Sequence, residues 1–254
     1  MTSAPDLPDA FLGRPIAHRA LHDVTAGRPE NSRAAIRAAI AAGYGVEIDL
    51  QLAACGTAMV FHDYDLRRLT DASGPIRQRT AAELADLPLK HGDEGIPTLD
   101  EVLEIVAGQV PLLMEIKDQD GQMGPRVGLL EHAAATALAG YDGPAAIMSF
   151  NPSSVQAMAE LAPDLPRGLV TSAFAPEHWP TLSEETRAAL RPIPNLMATG
   201  ARFVSHEAAD LANPRIAELK AAGIPILCWT IRTPAEEARA RSIADNITFE
   251  GYTA

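Results

Sequence analysis

Cysteine and lysine are both scarce in this 254-residue chain. Cys55 and Cys228 are too few for a disulfide framework, so two free thiols in a reducing cytosol is the simpler reading. Lys90, Lys117 and Lys220 are the only lysines, and 21 basic residues face 33 acidic ones, a net charge of −12. So acidic a chain lacks the clustered positive charge that nucleic acid or an anionic membrane requires. An anionic substrate stays open if a metal ion or a pocketed Arg or Lys supplies local positive charge. No basic segment precedes a long apolar run near the start, and no apolar stretch has membrane-spanning length. The expectation is a soluble, cytoplasmic protein without membrane insertion. There is no Gly-rich dinucleotide fingerprint after the first apolar run, no fixed-period repeat and no low-complexity tract.

What is present suits a folded domain. Hydrophobic residues make up 47% and charged residues 21%, which excludes disorder. Short apolar runs alternate with helical patterns. Strands are expected near 15–19, 45–50, 111–117, 145–150, 167–171, 202–205, 224–230 and 245–249. Ala35, Ile36, Ala39 and Ile40 carry helical spacing between a polar cap and Gly43. Thr98 with Glu101 is a capping box ahead of Leu99, Val102, Leu103 and Val106. A helix is expected over 126–139, and Asn151-Pro152 caps the next one. The Pro-rich stretch 172–200 is hard to read. Eight strands alternating with helices predict a single α/β domain over 1–254, a (β/α)8 TIM barrel. A doubly wound open sheet is the alternative.

Residues 57–63 read as a further strand. Six residues from the 45–50 strand are too few for a parallel crossover, so the pair reads as a hairpin turning at Ala54-Cys55-Gly56. A turn centred between Cys55 and Gly56 would place His62 across from Asp49.

Glu47 and Asp49 lie two apart on a strand and share one face. Inside a barrel two carboxylates would repel and lose hydration, and a divalent cation would neutralise them. The bland alternative is a surface strand with two solvated acids. Glu115 and Lys117 repeat the pattern at the carboxyl end of another strand, where barrel enzymes place their sites; a structural ion pair is equally compatible. His18 ends the first strand and His62 the hairpin. One imidazole could take a proton while the other gives one. Arg19 has the planar fork that fits a phosphate. Trp229 is either a stacking wall or core.

The other histidines, His22, His91, His132, His178 and His206, are assigned to loops or helices with no role, although His22 follows the first strand end closely. Ser149 and Asn151 end a strand and could touch substrate, yet Asn151 is sufficiently explained as a cap.

In order along the chain stand Ile16-Ala17-His18-Arg19, Pro29-Glu30-Asn31-Ser32, Val46-Glu47-Ile48-Asp49-Leu50, Val60-Phe61-His62-Asp63, Glu115-Ile116-Lys117, Ser149-Phe150 and Cys228-Trp229-Thr230. Each motif alone is weak; the order and spacing are specific. Over about 16–250 the chain resembles the glycerophosphodiester phosphodiesterases. The resemblance implies a phosphatidylinositol-phospholipase-C-like barrel with an insertion after the second strand, here about 64–97. It implies that Glu47, Asp49 and Glu115 bind one divalent cation, Ca²⁺ or Mg²⁺. It makes His18 and His62 the acid/base pair, gives Arg19 and Lys117 contacts to phosphate, and puts Glu30 near the metal.

The implied reaction converts a small-molecule glycerophosphodiester to sn-glycerol 3-phosphate and an alcohol through a cyclic phosphate. Three positions depart from the family pattern. Ala20 stands where Gly is usual, Cys55-Gly56 where Asp-Gly is usual, and Glu250 where an Asp is usual. A related enzyme acting on lysophospholipids and a non-catalytic barrel that binds glycerophosphodiesters are the competing readings. An amidohydrolase would want His-x-His on the first strand, where this chain has His18-Arg19-Ala20.

Overall fold

The computed structural model describes residues 5–194 and 196–254. Its frame is a ring of eight parallel strands with one antiparallel appendage. In chain order the strands are β1 (Ile16–Ala17), β2 (Gly45–Leu52), β3 (Ala58–Val60), β4 (Leu112–Ile116), β5 (Ala145–Ser149), β6 (Arg167–Thr171), β7 (Phe203–Glu207), β8 (Ile226–Ile231) and β9 (Asn246–Phe249). β1 pairs in parallel with both β2 and β9, which closes the ring. β3 leaves the ring and pairs antiparallel with β2. The closed (β/α)8 barrel is therefore the architecture, and the open doubly wound sheet is excluded.

Period-two alternation divides β2 between two environments. Val46, Ile48 and Leu50 join the apolar shell beneath the helices. Glu47 and Asp49 take the opposite face, beside Leu113 and Glu115 of β4. Deeper in the ring, Ile16, Leu113, Met148, Val170, Phe203 and Leu227 pack together, and Leu7 and Phe11 belong to the same cluster. A side chain on Gly168 would meet the Phe203 ring at 2.4 Å. The absent Cβ on β6 is thus what admits the phenyl ring.

Helix starts follow the local chemistry. Ser32 accepts from the Ala35 N–H at the start of α1 (Arg33–Ala42), which stops at Gly43 with φ 72°. The short α2 (Ala81–Ala85) carries a Thr80/Glu83 capping box, and α3 (Leu99–Val106) the expected Thr98/Glu101 box. α4 (Leu129–Leu138) begins later than the sequence suggested. Glu131 takes the Gly128 N–H, so the first turn starts there, while Arg126 ties back to Asp120 in the preceding loop. Asn151 caps α5 (Pro152–Leu161). The Pro-rich stretch contains α6 (Glu184–Leu190) and α7 (Leu196–Thr199), with Phe174, Leu182 and Leu190 forming a small core. α8 (Pro214–Ala221) and α9 (Pro234–Ala240) both open on proline. Among the described residues no helix is long and apolar enough to cross a membrane.

A separate core forms beyond the barrel strands. Met59, Phe61, Leu66, Ile76 and Leu84 pack together beside the barrel mouth. The hairpin before it differs from expectation by one residue. Leu50 pairs with Val60, and the Phe61 N–H donates to the Asp49 carbonyl, so Phe61 rather than His62 lies opposite Asp49. The Ala53 N–H donates to Thr57, leaving a three-residue loop, Ala54-Cys55-Gly56, with Gly56 at φ 85°.

Candidate active site

The carboxyl ends of β1, β2, β4, β8 and β9 face one another across the mouth. Glu47, Asp49 and Glu115 are buried there, and each offers an oxygen within 4.8 Å of the others. The parallel register that sets Asp49 beside Glu115 brings them together. Lys117 Nζ lies 2.7 Å from Asp49 Oδ1 and 2.7 Å from Glu115 Oε1. Burial alone would raise the Asp49 carboxyl, but Lys117, His62 and Arg19 outweigh it and hold it well below its usual range. Burial would likewise lower Lys117, and Asp49 and Glu115 hold it above its ordinary value.

Glu47 stands apart from this balance. It accepts the Arg19 N–H at 2.8 Å, yet among the described residues no side chain forms an ion pair with it. Burial, then Asp49 and Glu115, push its carboxyl well above the usual range. Three hard oxygen donors with one uncompensated member suit a divalent cation.

Arg19 runs along the cluster. Its guanidinium donates to Glu30 Oε1 at 2.9 Å and lies 3.7 Å from Asp49 Oδ2. Glu30 is held in turn by Arg68 through two bonds of 2.8 Å. Asn31 donates to Asp49 Oδ2 at 2.9 Å and accepts the Asp49 N–H at 3.3 Å. Asn31 stands within the Pro29–Ser32 motif, where nothing in the sequence signals this contact. Arg19, Ala20 and Asn31 all have positive φ, 52°, 65° and 58°. The position where the family carries Gly is thus a left-handed one, occupied here by Ala20.

Each candidate histidine has one ring nitrogen tied to a carboxylate. His18 Nδ1 is 2.6 Å from Glu250 Oε2, and His62 Nδ1 is 2.6 Å from Asp63 Oδ1. An Nδ1–H that donates to a carboxylate leaves Nε2 as the basic nitrogen. Burial lowers His18, against the raising pull of Glu250. Burial opposes ionisation of Glu250, but His18, His22 and Arg232 hold it far below the usual carboxylate range. Asp63 is also held low against its burial, by Arg68 and His62. His62 reaches this site although it is not Asp49's ladder partner, because the chain leaves β3 after Val60.

His18, Arg19, Glu47, His62, Glu115 and Lys117 line one cavity of about 150 Å³. A second cavity of about 710 Å³ shares His62, Glu115 and Lys117 with it and is walled by Tyr64, Phe150, Trp179 and Trp229. The stacking-wall reading of Trp229 thus has a chamber to line. Ser149 is structural: its hydroxyl donates to the Ile116 carbonyl. Asn151 caps α5 and also holds Asp118 at 2.8 Å. His206 was expected in a loop or helix; it lies in β7, fully buried between Thr171 and Asp210.

A (β/α)8 barrel whose ionisable groups gather at the carboxyl ends of its strands is built as barrel enzymes are. Residues 18–245 match the model of the glycerophosphoryl diester phosphodiesterase family. The chain belongs to that family and is a phosphodiesterase. YhdW of Bacillus subtilis (strain 168) is 28% identical over 238 residues, 90% of each chain. The glycerophosphodiester phosphodiesterase of Caldanaerobacter subterraneus subsp. tengcongensis is 32% identical over 161 residues, 59% of this chain and 65% of that relative. Among solved structures, an Oleispira antarctica phosphodiesterase in complex with its product sn-glycerol-3-phosphate superposes with a TM-score of 0.77. It is 26% identical and the match covers 95% of this chain and 94% of that one.

Proposed function

We propose that the protein hydrolyses glycerophosphodiesters to sn-glycerol 3-phosphate and an alcohol, with His18 and His62 as the acid/base pair. The observation that carries the reading is the 150 Å³ cavity at which both tethered imidazoles meet Arg19 and Lys117. A phosphodiester carries one negative charge and gains more in the transition state. Arg19 and Lys117 would hold its oxygens.

Glu47, Asp49 and Glu115 would hold a divalent cation, which would add Lewis-acid stabilisation of the phosphoryl oxygens when bound. Ca²⁺ and Mg²⁺ both suit three carboxylate oxygens. The chain's own residues orient the ester and move the protons. In the first step the glycerol 2-hydroxyl forms a bond to phosphorus as the bond to the leaving alcohol breaks. One histidine Nε2 takes the hydroxyl proton, and the other imidazole gives a proton to the departing oxygen. In the second step water opens the cyclic phosphate with the two roles exchanged. Glu250 and Asp63 keep the imidazoles in one tautomer throughout. Arg68 and Glu30 steady Arg19.

A phosphorus NMR time course tests this. Metal-stripped protein is mixed with glycerophosphocholine or glycerophosphoethanolamine, with and without Ca²⁺ or Mg²⁺. Glycerol 3-phosphate is expected only with metal. His18→Ala and His62→Ala should each abolish it while the circular dichroism spectrum is unchanged. Full turnover in either variant would overturn the acid/base assignment.

A further inference from the structure

The 710 Å³ chamber beside the catalytic cluster has a composition that the reaction itself does not require. Phe150 stands between two indoles, its ring centre 4.7 Å from that of Trp179 and 5.5 Å from that of Trp229. Each polar handle on these walls is already used by the protein. Trp179 Nε1 donates to Ser172 Oγ at 3.2 Å, Trp229 Nε1 to the Ser205 carbonyl at 3.1 Å, and the Tyr64 hydroxyl to the Asp118 carbonyl at 2.8 Å. The rings are therefore anchored, and none has its N–H or O–H free for a ligand.

The charges around these rings are almost all negative. Asp63, Asp65, Glu115, Asp118 and Glu207 line the chamber, against Lys117 alone among Lys and Arg. Glu115 and Lys117 belong to the catalytic end, and Asp63 is engaged by His62 and Arg68. Asp118 is consumed by backbone N–H groups of its own loop and by Asn151. Asp65 accepts the Arg67 N–H at 2.9 Å and lies 3.9 Å from the Arg67 guanidinium, which leaves Glu207. Glu207 accepts the Ala173 N–H at 3.2 Å and lies 3.8 Å from His178 Nδ1.

We propose that this chamber receives the leaving alcohol and selects one that carries a quaternary ammonium group. The inference rests on the hydrolase reading for the word "leaving" and on the cavity alone for the cation. A quaternary ammonium has no hydrogen to donate and loses nothing where acceptors and donors are spoken for. It gains cation–π contact with the rings and attraction from Glu207 and from the excess of negative charge in the lining. A polyol would give up hydrogen bonds to water without recovering them here. An anionic alcohol would meet the carboxylates. The chamber continues into the cavity of His18 and Arg19 through shared His62, Glu115 and Lys117, so one ester can reach both.

The chain has two tryptophans, and both line this chamber. Intrinsic tryptophan fluorescence therefore reports its occupancy without any turnover. Choline and its neutral isostere 3,3-dimethyl-1-butanol are titrated into the wild type, Glu207→Gln and Tyr64→Leu. Choline should change the emission saturably and bind about tenfold or more tighter than the isostere. Each substitution should weaken choline severalfold and leave the isostere nearly unchanged. Equal affinities for the two probes, or no saturable response to choline, would overturn the proposal.

A parallel comparison of kcat/KM for glycerophosphocholine and glycerophosphoglycerol, with divalent cation present, separates the two readings. Choline binding without hydrolysis of either ester keeps the chamber's selectivity and removes the hydrolase assignment. Equal hydrolysis of both esters without choline binding does the reverse.

Discussion

His18 Nδ1 lies 2.6 Å from Glu250 Oε2, a contact that bridges 232 positions of sequence and ties the end of the first barrel strand to the residue after the last. Glu250 is itself braced by Arg232 at 2.8 Å. The carboxylate thus has a fixed place, and it fixes the imidazole in turn.

Glu250→Gln should move to lower pH the limb of the kcat/KM profile that His18 sets, the acidic one if His18 starts as base and the alkaline one if it starts as acid. Burial already lowers His18, and Glu250 opposes that fall. Removing the negative charge lets the imidazole fall further, so it stays neutral to lower pH. The same change frees the ring to adopt the other tautomer, and kcat should drop about 10- to 100-fold. A limb that stays in place or moves upward would show that Glu250 does not act on His18.

Arg68→Met should lower kcat about tenfold and raise KM a few-fold. Arg68 holds Asp63 behind His62 at 2.6 Å and Glu30 behind Arg19 at 2.8 Å. One guanidinium therefore orients both a proton-transfer group and a phosphate contact. Arg68→Lys should recover only part of the loss, because an ammonium cannot bridge two carboxylates as a planar fork does. Steady-state kinetics on the three proteins decides it; a change in KM alone would separate Arg68 from the acid/base pair.

The sequence made the carboxylate trio visible because strand alternation is strict. Glu47 and Asp49 must share a face, and Glu115 falls beside Asp49 once parallel pairing is assumed. The barrel was legible because short apolar runs alternate with helices whose starts are mostly marked locally, as at Ser32, Thr98, Asn151 and Thr233. What stayed hidden depended on side chains crossing between distant segments. Glu250 appeared only as an odd residue in a motif, and Arg68 lies past the hairpin in a stretch whose path no periodicity reveals. Asn31 needed its left-handed backbone to turn the amide onto Asp49. The hairpin register was missed by one residue because a three-residue loop ending on a positive-φ glycine replaced the even turn.

Lys117→Met should destabilise the metal-free protein by about 3–5 kcal/mol, since it leaves buried Asp49 and Glu115 without their shared cation. For a chain of this size that is a fall in Tm of roughly 10 °C. Added Mg²⁺ or Ca²⁺ should return part of it, and calorimetry with and without metal reads both effects. A variant as stable as the wild type without metal would mean that the ammonium is not what holds those charges in the fold.

Glu47→Gln should raise the stability of the metal-free protein and lower that of the metal-loaded one. The folded Glu47 carboxyl titrates well above its usual value of 4.5, because of burial and then Asp49 and Glu115. As pH rises past that usual value, the unfolded chain releases the proton and the folded chain keeps it. Rising pH therefore favours unfolding, by about 1.4 kcal/mol per unit, until the folded group ionises as well. Near pH 7 the glutamate works against the fold, and a neutral amide of the same shape removes that cost and raises Tm. Below the usual carboxyl range Glu47 is protonated in the folded and the unfolded wild type alike, and the Tm values of the two proteins should converge. A bound cation reverses the order by mass action, because the wild type retains three carboxylate ligands and the variant two. Melting curves across pH, with and without Mg²⁺, should therefore cross. Were Glu47→Gln less stable without metal near neutral pH, Glu47 would have to be compensated within the fold, and the cluster would have no need of a cation.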